Sequence, residues 1–442
     1  MQQQADVTFR LQPGGRLQGR MRVPGDKSIS HRSIMLGALA DGVTEISGFL
    51  EGEDALATIA AFRAMGVRID GPVQGQVTVH GVGLHGLQAP AGPIDCGNSG
   101  TTMRLLAGLL AGQAFDSELV GDVSLSSRPM RRIADPLTRM GARIELSAAG
   151  TPPIRIRGGQ RLRGISHQSP VASAQVKSCL LLAGLYAEGR ICVSEPQPSR
   201  DHTERMLAGM GYALQRDGTT VCLQGGGRLQ AGRIDVPADI SSAAFFLVGA
   251  SIAEGSDLVL EHVGINPTRT GVIEILRLMG ADIEVLNPRD AGGEPVADLR
   301  VRHALLRGIR IPEELVPLAI DEFPALFVAA ACAEGETVLT GAAELRVKES
   351  DRIAVMADGL RTLGIDAEAL PDGIRIRGGR LSGGRLASHH DHRIAMSFAI
   401  AALRASGEIV IDGCAIVNTS FPGFAELARQ AGLRIETAGA TM

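Results

Sequence analysis

Tryptophan is missing and tyrosine occurs only twice in 442 residues, so aromatic side chains make up 3% of the chain. A surface that grips nucleic acid needs aromatic stacking platforms and positive charge, and a formal net charge of -4 offers no bulk attraction to phosphate. No nucleic-acid partner is therefore expected. Long apolar runs are missing as well: the longest, Ala243 to Ala253, is far short of the roughly 20 residues a spanning helix needs. The opening MQQQADVTFRLQPG lacks a basic start followed by an apolar stretch, so no secretory leader is read, and a soluble cytoplasmic protein without membrane contact is expected. There is no C-x-x-C pair among Cys96, Cys179, Cys192, Cys222, Cys332 and Cys414, and all six are expected to be reduced, mostly buried thiols. Lysine is the last scarcity. Of 44 basic residues only Lys27, Lys177 and Lys348 are lysine, which singles out three positions where a compact ammonium would do what a planar guanidinium cannot.

What is abundant is repetition. An Ala/Leu-rich helical pattern closing on glycine and running into a strand recurs six times, with closing glycines Gly42, Gly112, Gly189, Gly255, Gly335 and Gly407. Glycine at that place reads as a left-handed helix cap. A second helix-glycine-strand passage follows each first one, closing on Gly66, Gly141, Gly211, Gly280, Gly364 and Gly432. The widest spacing, between Gly280 and Gly364, holds the polar insert NPRDAGGEPVAD, which reads as a surface loop. LQPGGRLQGRMRVPGDKS from Leu11 matches LQGGGRLQAGRIDVPADIS from Leu223, so the two halves are copies. The expected fold class is α/β, with six repeated βαβαββ units, three per domain. One domain spans about residues 23–233 and the other 1–22 with 234–442. The first helix of each unit is apolar nearly all round, as in SCLLLAGLYA and PALFVAAACA, and is expected to be buried inside its domain.

Immediately before those six helices stand GDKSISHR, CGNSGTT, SAQVK, ADISS, IDEFP and HHDHR. Helix N-termini carry free N–H groups and the positive dipole end, so they suit anions. Ser28, Asn98, Ser173 and Ser241 are expected as N-caps; Lys27, Arg32, Arg104, Lys177 and Arg393 are more than capping requires. ADISS alone is nearly bare. Further charged clusters lie at SSRPMRR, SRDHTE and RVKESDR. GVGLHG at Gly81–Gly86 matches G-x-G-x-x-G but opens no helix, GDKS lacks the earlier glycine of a phosphate loop, and HHDHR has no matching ligand set, so no nucleotide cofactor and no metal are expected.

VPGDKSISHR, GNSGTTMR, SLSSRPMRR, SAQVK, RDHTE, NPTR, IDEFPALFVAA, VKESDR and DHRIAMS, in this order from Val23 to Pro422, resemble the 5-enolpyruvylshikimate-3-phosphate synthase family, in its bacterial class II form. The resemblance implies two inside-out α/β barrels with the active site in the cleft between them, and a monomer that uses no cofactor. It implies transfer of the enolpyruvyl group of phosphoenolpyruvate to the 5-hydroxyl of shikimate 3-phosphate through a tetrahedral intermediate, with release of phosphate. It assigns Asp321 as proton acceptor, Glu349 as proton donor and Lys27 as a contact to both substrates. Shikimate 3-phosphate falls to Lys27, Ser28, Arg32, Ser173, Gln175, Arg200, Asp321 and Lys348. Phosphoenolpyruvate falls to Lys27, Gly100, Arg128, Gln175, Arg352 and Arg393, the arginines suiting bidentate contact with carboxylate or phosphate. Asn98, Thr101 and Ala174 would line the site. Where some members carry a lysine before a C-terminal Thr-Phe-Pro, this chain has Asn418 and Thr419 in NTSFP. The related UDP-N-acetylglucosamine enolpyruvyl transferases use a loop cysteine that SLSSRPMRR lacks. A non-catalytic anion sensor on the same scaffold would gain nothing from Asp321 and Glu349 in a cationic site, since carboxylates there repel the ligand.

Overall fold

The computed structural model describes residues 7–439; Met1–Asp6, on which the reading of the leader partly rests, lie outside the described residues. The chain forms two compact units, each with its own apolar core. One comprises Gly25–Pro237 with Asp290–Glu294; the other comprises the residues up to Pro24, Ala238–Arg289 and the chain from Pro295 onward.

The first unit is organised around the helices Lys27–Leu39, Gly100–Leu110 and Ala174–Gly184, which are buried over almost their whole length. Three four-stranded sheets belong to it, led by Arg233–Asp235, Ile94–Asp95 and Ser166–Gln168. In each, the leading strand pairs parallel with its neighbour and the remaining pairings are antiparallel. The strands alternate buried and exposed residues, as Ile154–Arg157 does, which is the pattern of sheets with one face on a core and one in water.

The second unit repeats the plan with Ile240–Ile252, Phe323–Ala331 and His392–Ala401, helices with every residue buried. Such helices can have no polar face, which is why their sequences are apolar all round. Its sheets run Gln18–Met21, Asp257–Gly264, Glu294–Arg302, Asp282–Ala291; then Glu336–Leu339, Gly373–Arg377, Asp366–Leu370; then Gly384–Ala387, Ile409–Asp412, Thr8–Gly15, Leu433–Ala438. The mixed α/β repeat expected from the sequence is thus present, helices inside and sheets outside in each unit.

The duplicated segments behave alike. Gln18–Met21 precedes Lys27–Leu39 in the chain yet pairs in parallel with Asp257–Gly264; Arg233–Asp235 precedes Ile240–Ile252 yet pairs in parallel with Asp41–Ser47. Each copy therefore finishes a sheet in the unit that the chain is about to leave.

Three expectations are corrected here. The insert is not a loop: Asp282–Ala291 and Glu294–Arg302 form a hairpin across Gly292 and Gly293, both at positive φ, as a two-residue hairpin turn requires. Cys192 and Cys222 are not free thiols. They are directly opposed on the antiparallel strands Arg190–Ser194 and Thr220–Gln224, with Cα atoms 4.1 Å apart, and form a disulfide. A separation of 30 residues in the chain gave no hint of that register. Cys96, Cys179, Cys332 and Cys414 form no disulfide among the described residues. Finally, Gly112 and Gly407 are not left-handed caps, unlike all six glycines of the second passages. At Gly112 the constraint is space, because a Cβ there would run into the Tyr186 ring.

Candidate active site

In the first unit the core-helix starts are built differently from the simple capping expected. Asp26, not Ser28, caps Lys27–Leu39 by accepting from Ile29 N at 2.8 Å, and Ser99, not Asn98, caps Gly100–Leu110. Ser173 does cap its helix. An aspartate or serine one position ahead of the first helical residue reaches the free N–H groups, which leaves Asn98 for other work. Asn98 donates to Asp122 at 2.7 Å and accepts from Arg128 at 2.9 Å.

Gly100 lies beside two cations. A Cβ at this position would stand 3.0 Å from Arg104 Nη1 and 3.2 Å from Arg128 Nη1. Arg104 in turn donates to Gln175 Oε1 at 2.6 Å, and Gln175 donates to Thr101 Oγ1 at 3.0 Å. Gly100, Arg128 and Gln175 are thus gathered at the starts of two neighbouring core helices, with Arg104 as the link. Lys27 Nζ meets Asp54 at 3.0 Å. Arg32 is buried and directed inward: it donates to Thr203 at 2.7 Å, to Ser178 at 2.8 Å and to the Ser28 carbonyl at 2.9 Å. Burial lowers its pKa to about 10 although Glu204 and Asp26 favour its charge. Ser173 offers its backbone N–H to Glu195 at 2.7 Å.

The second unit gathers carboxylates about one guanidinium. Arg352 opens the helix Arg352–Thr362 and is 1% exposed. Its Nε donates to Asp391 at 2.8 Å, Nη2 to Glu349 at 2.7 Å, and Nη1 to Asp321 at 3.2 Å. Burial works against this charge, but Asp391, Glu349 and Asp321 outweigh it and hold the pKa above the ordinary arginine value. Lys348 Nζ lies 3.5 Å from Asp321 Oδ1, and Arg393 donates to the Asp321 carbonyl at 2.9 Å. Asp321, Lys348, Glu349, Arg352 and Arg393 therefore form one cluster. Among the described residues no group of three or more His, Cys, Asp or Glu is placed to hold a metal ion.

The helix start ADISS is not bare either. Asp239, not Ser241, is the cap, and both Asp239 and Ser241 receive Arg269 of the NPTR motif, at 3.1 and 2.6 Å; Ser241 also donates to Glu322. Sequence reasoning missed Asp54, Glu195, Glu322 and Asp391 as partners of the site residues. Asp391 and Glu322 carried a signal, their places near Arg393 in HHDHR and beside Asp321 in IDEFP.

One unit holds a cationic, glycine-bearing group around Gly100 and the other a set of carboxylates around Arg352, and comparisons with known proteins agree in what they name. The family model described as EPSP synthase (3-phosphoshikimate 1-carboxyvinyltransferase) matches residues 11–427. A 3-phosphoshikimate 1-carboxyvinyltransferase from Methylococcus capsulatus is 72% identical over 431 residues, covering 98% of this chain and 99% of that protein. One from Alkalilimnicola ehrlichii is also 72% identical, covering 97% and 96%. Among solved structures, EPSP synthase from Acinetobacter baumannii aligns with a TM-score of 0.89 at 61% identity, covering 98% of this chain and 100% of that one. The enolpyruvyl transferase NikO from Streptomyces tendae, at 17% identity and a TM-score of 0.78 over 99% and 100% of the two chains, shares the fold. A family match across nearly the whole length, with close relatives aligned end to end, shows that this chain belongs to the EPSP synthase (3-phosphoshikimate 1-carboxyvinyltransferase) family.

Proposed function

We propose that this chain transfers the enolpyruvyl group of phosphoenolpyruvate to the 5-hydroxyl of shikimate 3-phosphate and releases phosphate. The observation that carries this reading is Arg352 holding Asp321 and Glu349 together. Addition requires the hydroxyl to lose a proton while the methylene carbon of phosphoenolpyruvate gains one; elimination then removes a proton from the new methyl group as phosphate leaves. Two carboxylates side by side can divide that traffic. Asp321, with Arg352 and Lys348 beside one of its oxygens, takes the hydroxyl proton, and Glu349 delivers one to the methylene.

The cations of the first unit serve the substrate anions. Arg128 and Gln175, with Gly100 leaving room beside them, hold phosphoenolpyruvate together with Lys27, Arg352 and Arg393. Lys27, Ser28, Arg32, Ser173, Gln175, Arg200, Asp321 and Lys348 hold shikimate 3-phosphate. These sets draw on both units, so the reaction needs both. Arg352 gives four of its five N–H donors to carboxylates, so in phosphoenolpyruvate binding the substrate carboxylate meets the fifth or takes over one of their places.

The test is phosphate release by the purified protein given phosphoenolpyruvate and shikimate 3-phosphate together and each alone. Release only with both supports the reading, and no release with both rejects it. A cytoplasmic monomer goes with this reading. Sedimentation of a single species of one-chain mass and alkylation of six thiols in cells lysed directly into denaturant and alkylating reagent would support it; alkylation of only four would place Cys192 and Cys222 as a disulfide in the cell.

A further inference from the structure

Lys177 sits in the first turn of Ala174–Gly184, one helical turn from residues assigned to shikimate 3-phosphate, yet its ammonium is spent on the protein. It lies 2.9 Å from Glu195 Oε2, 3.0 Å from Glu204 Oε1 and 3.3 Å from the Ser199 carbonyl. All three side chains of the ion cluster are buried, with Lys177 at 6% side-chain exposure, Glu195 at 1% and Glu204 at 3%. Burying such a set is expensive unless every charge is paired and further hydrogen bonds saturate it.

The further bonds show what the cluster holds. Glu195 accepts the Ser173 backbone N–H at 2.7 Å and the Ser199 hydroxyl at 2.8 and 2.7 Å. Ser199 is therefore held twice, by its carbonyl and by its hydroxyl, in a stretch with no regular secondary structure that runs from Glu195 to Asp201 and contains Arg200. Ser173 caps the core helix. The three contacts of Lys177 diverge toward a strand end, a helix and a loop carbonyl, a geometry suited to a rotatable ammonium and not to a planar fork.

We propose that Lys177, acting through Glu195, is a positioning residue that fixes Ser173 and Arg200 relative to each other for shikimate 3-phosphate. It touches neither substrate. Gln175, in the same turn, is held instead by Arg104 and Thr101, so its contact with phosphoenolpyruvate does not depend on this cluster. The inference rests on the reaction proposed above.

The experiment compares Lys177→Met/Glu204→Gln, which removes one charge of each sign, Lys177→Arg, and Ser199→Ala, which deletes only the hydroxyl bonds to Glu195. The Michaelis constant for shikimate 3-phosphate should rise about tenfold or more in the double variant and a few-fold in Ser199→Ala, in line with the loss of charged and uncharged hydrogen bonds. The constant for phosphoenolpyruvate should stay within about twofold, and Lys177→Arg should not restore the wild-type value. A purely structural cluster would lower the melting temperature without separating the two constants. Equal changes in both constants, no change in either, or full activity in Lys177→Arg would overturn the inference while wild-type turnover upholds the reaction. Absence of wild-type turnover would reject both. If the double variant does not fold, Ser199→Ala decides between the same outcomes.

Discussion

At the scale of single residues, the sharpest consequence concerns Asp321. Asparagine has nearly its shape but cannot take a proton, so Asp321→Asn should cut kcat by about 10²–10⁴. Shikimate 3-phosphate binding, read by calorimetry, should survive; a variant with unreduced turnover would remove Asp321 from the proton pathway. A second residue makes a prediction about pH. His31 is buried, with Nδ1 bonded to Thr58 at 2.7 Å and Nε2 without a hydrogen-bond partner among the described residues, and desolvation, then Lys27 and Arg32, push its pKa well below 6.5. The unfolded chain takes up a proton on this side chain below about pH 6.5 and the folded chain does not, so folding stability falls as the pH drops through that value, by up to about 1.4 kcal/mol per unit. Urea titrations between pH 7.5 and 5 should show a shallower loss for His31→Gln than for the wild type. Parallel curves would mean that His31 is not the group responsible. Much at this scale was legible, because site residues in GDKS, GNSGTT and VKESDR are neighbours in the chain. Partners such as Asp54 and Glu195 were not, because they arrive from elsewhere in the fold and stand in none of the motifs; Glu322 stands in IDEFP, but nothing there tells that it turns to Ser241. The burial of Arg352 was hidden too, since an arginine in a charged run reads as exposed.

At the scale of elements, Gly108 shows how tightly two core helices meet. A Cβ at this position would lie 2.0 Å from the Cys179 carbonyl oxygen of the neighbouring helix. Alanine normally favours a helix over glycine by about 1 kcal/mol, but overpacking a closed contact costs about 1–3 kcal/mol, and at 2.0 Å the second effect wins. Gly108→Ala should therefore lower the urea midpoint with the m-value unchanged; a higher midpoint would show that the helices can move apart freely. The element reading of the sequence succeeded where a period could be followed, through six buried helices and the glycines that end their surface partners. It failed where two residues distant in the chain must be matched. The register that opposes Cys192 to Cys222 is one case. The caps were missed for a more local reason: aspartates 26 and 239 stand just ahead of serines that look equally good, and only φ and ψ tell which residue is the last before the helix.

At the scale of the whole molecule, the proposed reaction draws on residues of both units, so binding both ligands should lower the radius of gyration in small-angle scattering. An unchanged radius would count against a site that closes around its substrates. The two-unit organisation was readable from the duplication alone, because LQPGGRLQGRMRVP and LQGGGRLQAGRIDVP announce the same structural event twice. What happens there, a strand left behind in one unit as the chain enters the next, is a matter of pairing and could not be read. A related pairing joins the first and last described strands. Thr8 and Ala438 are direct partners on adjacent antiparallel strands. A linker across that pair, with a new opening at the Pro237–Ala238 junction, would leave the unit that is now split around its neighbour interrupted by Asp290–Glu294 alone. Its main discontinuity thus follows from the order of the segments in the chain and not from how its strands pair.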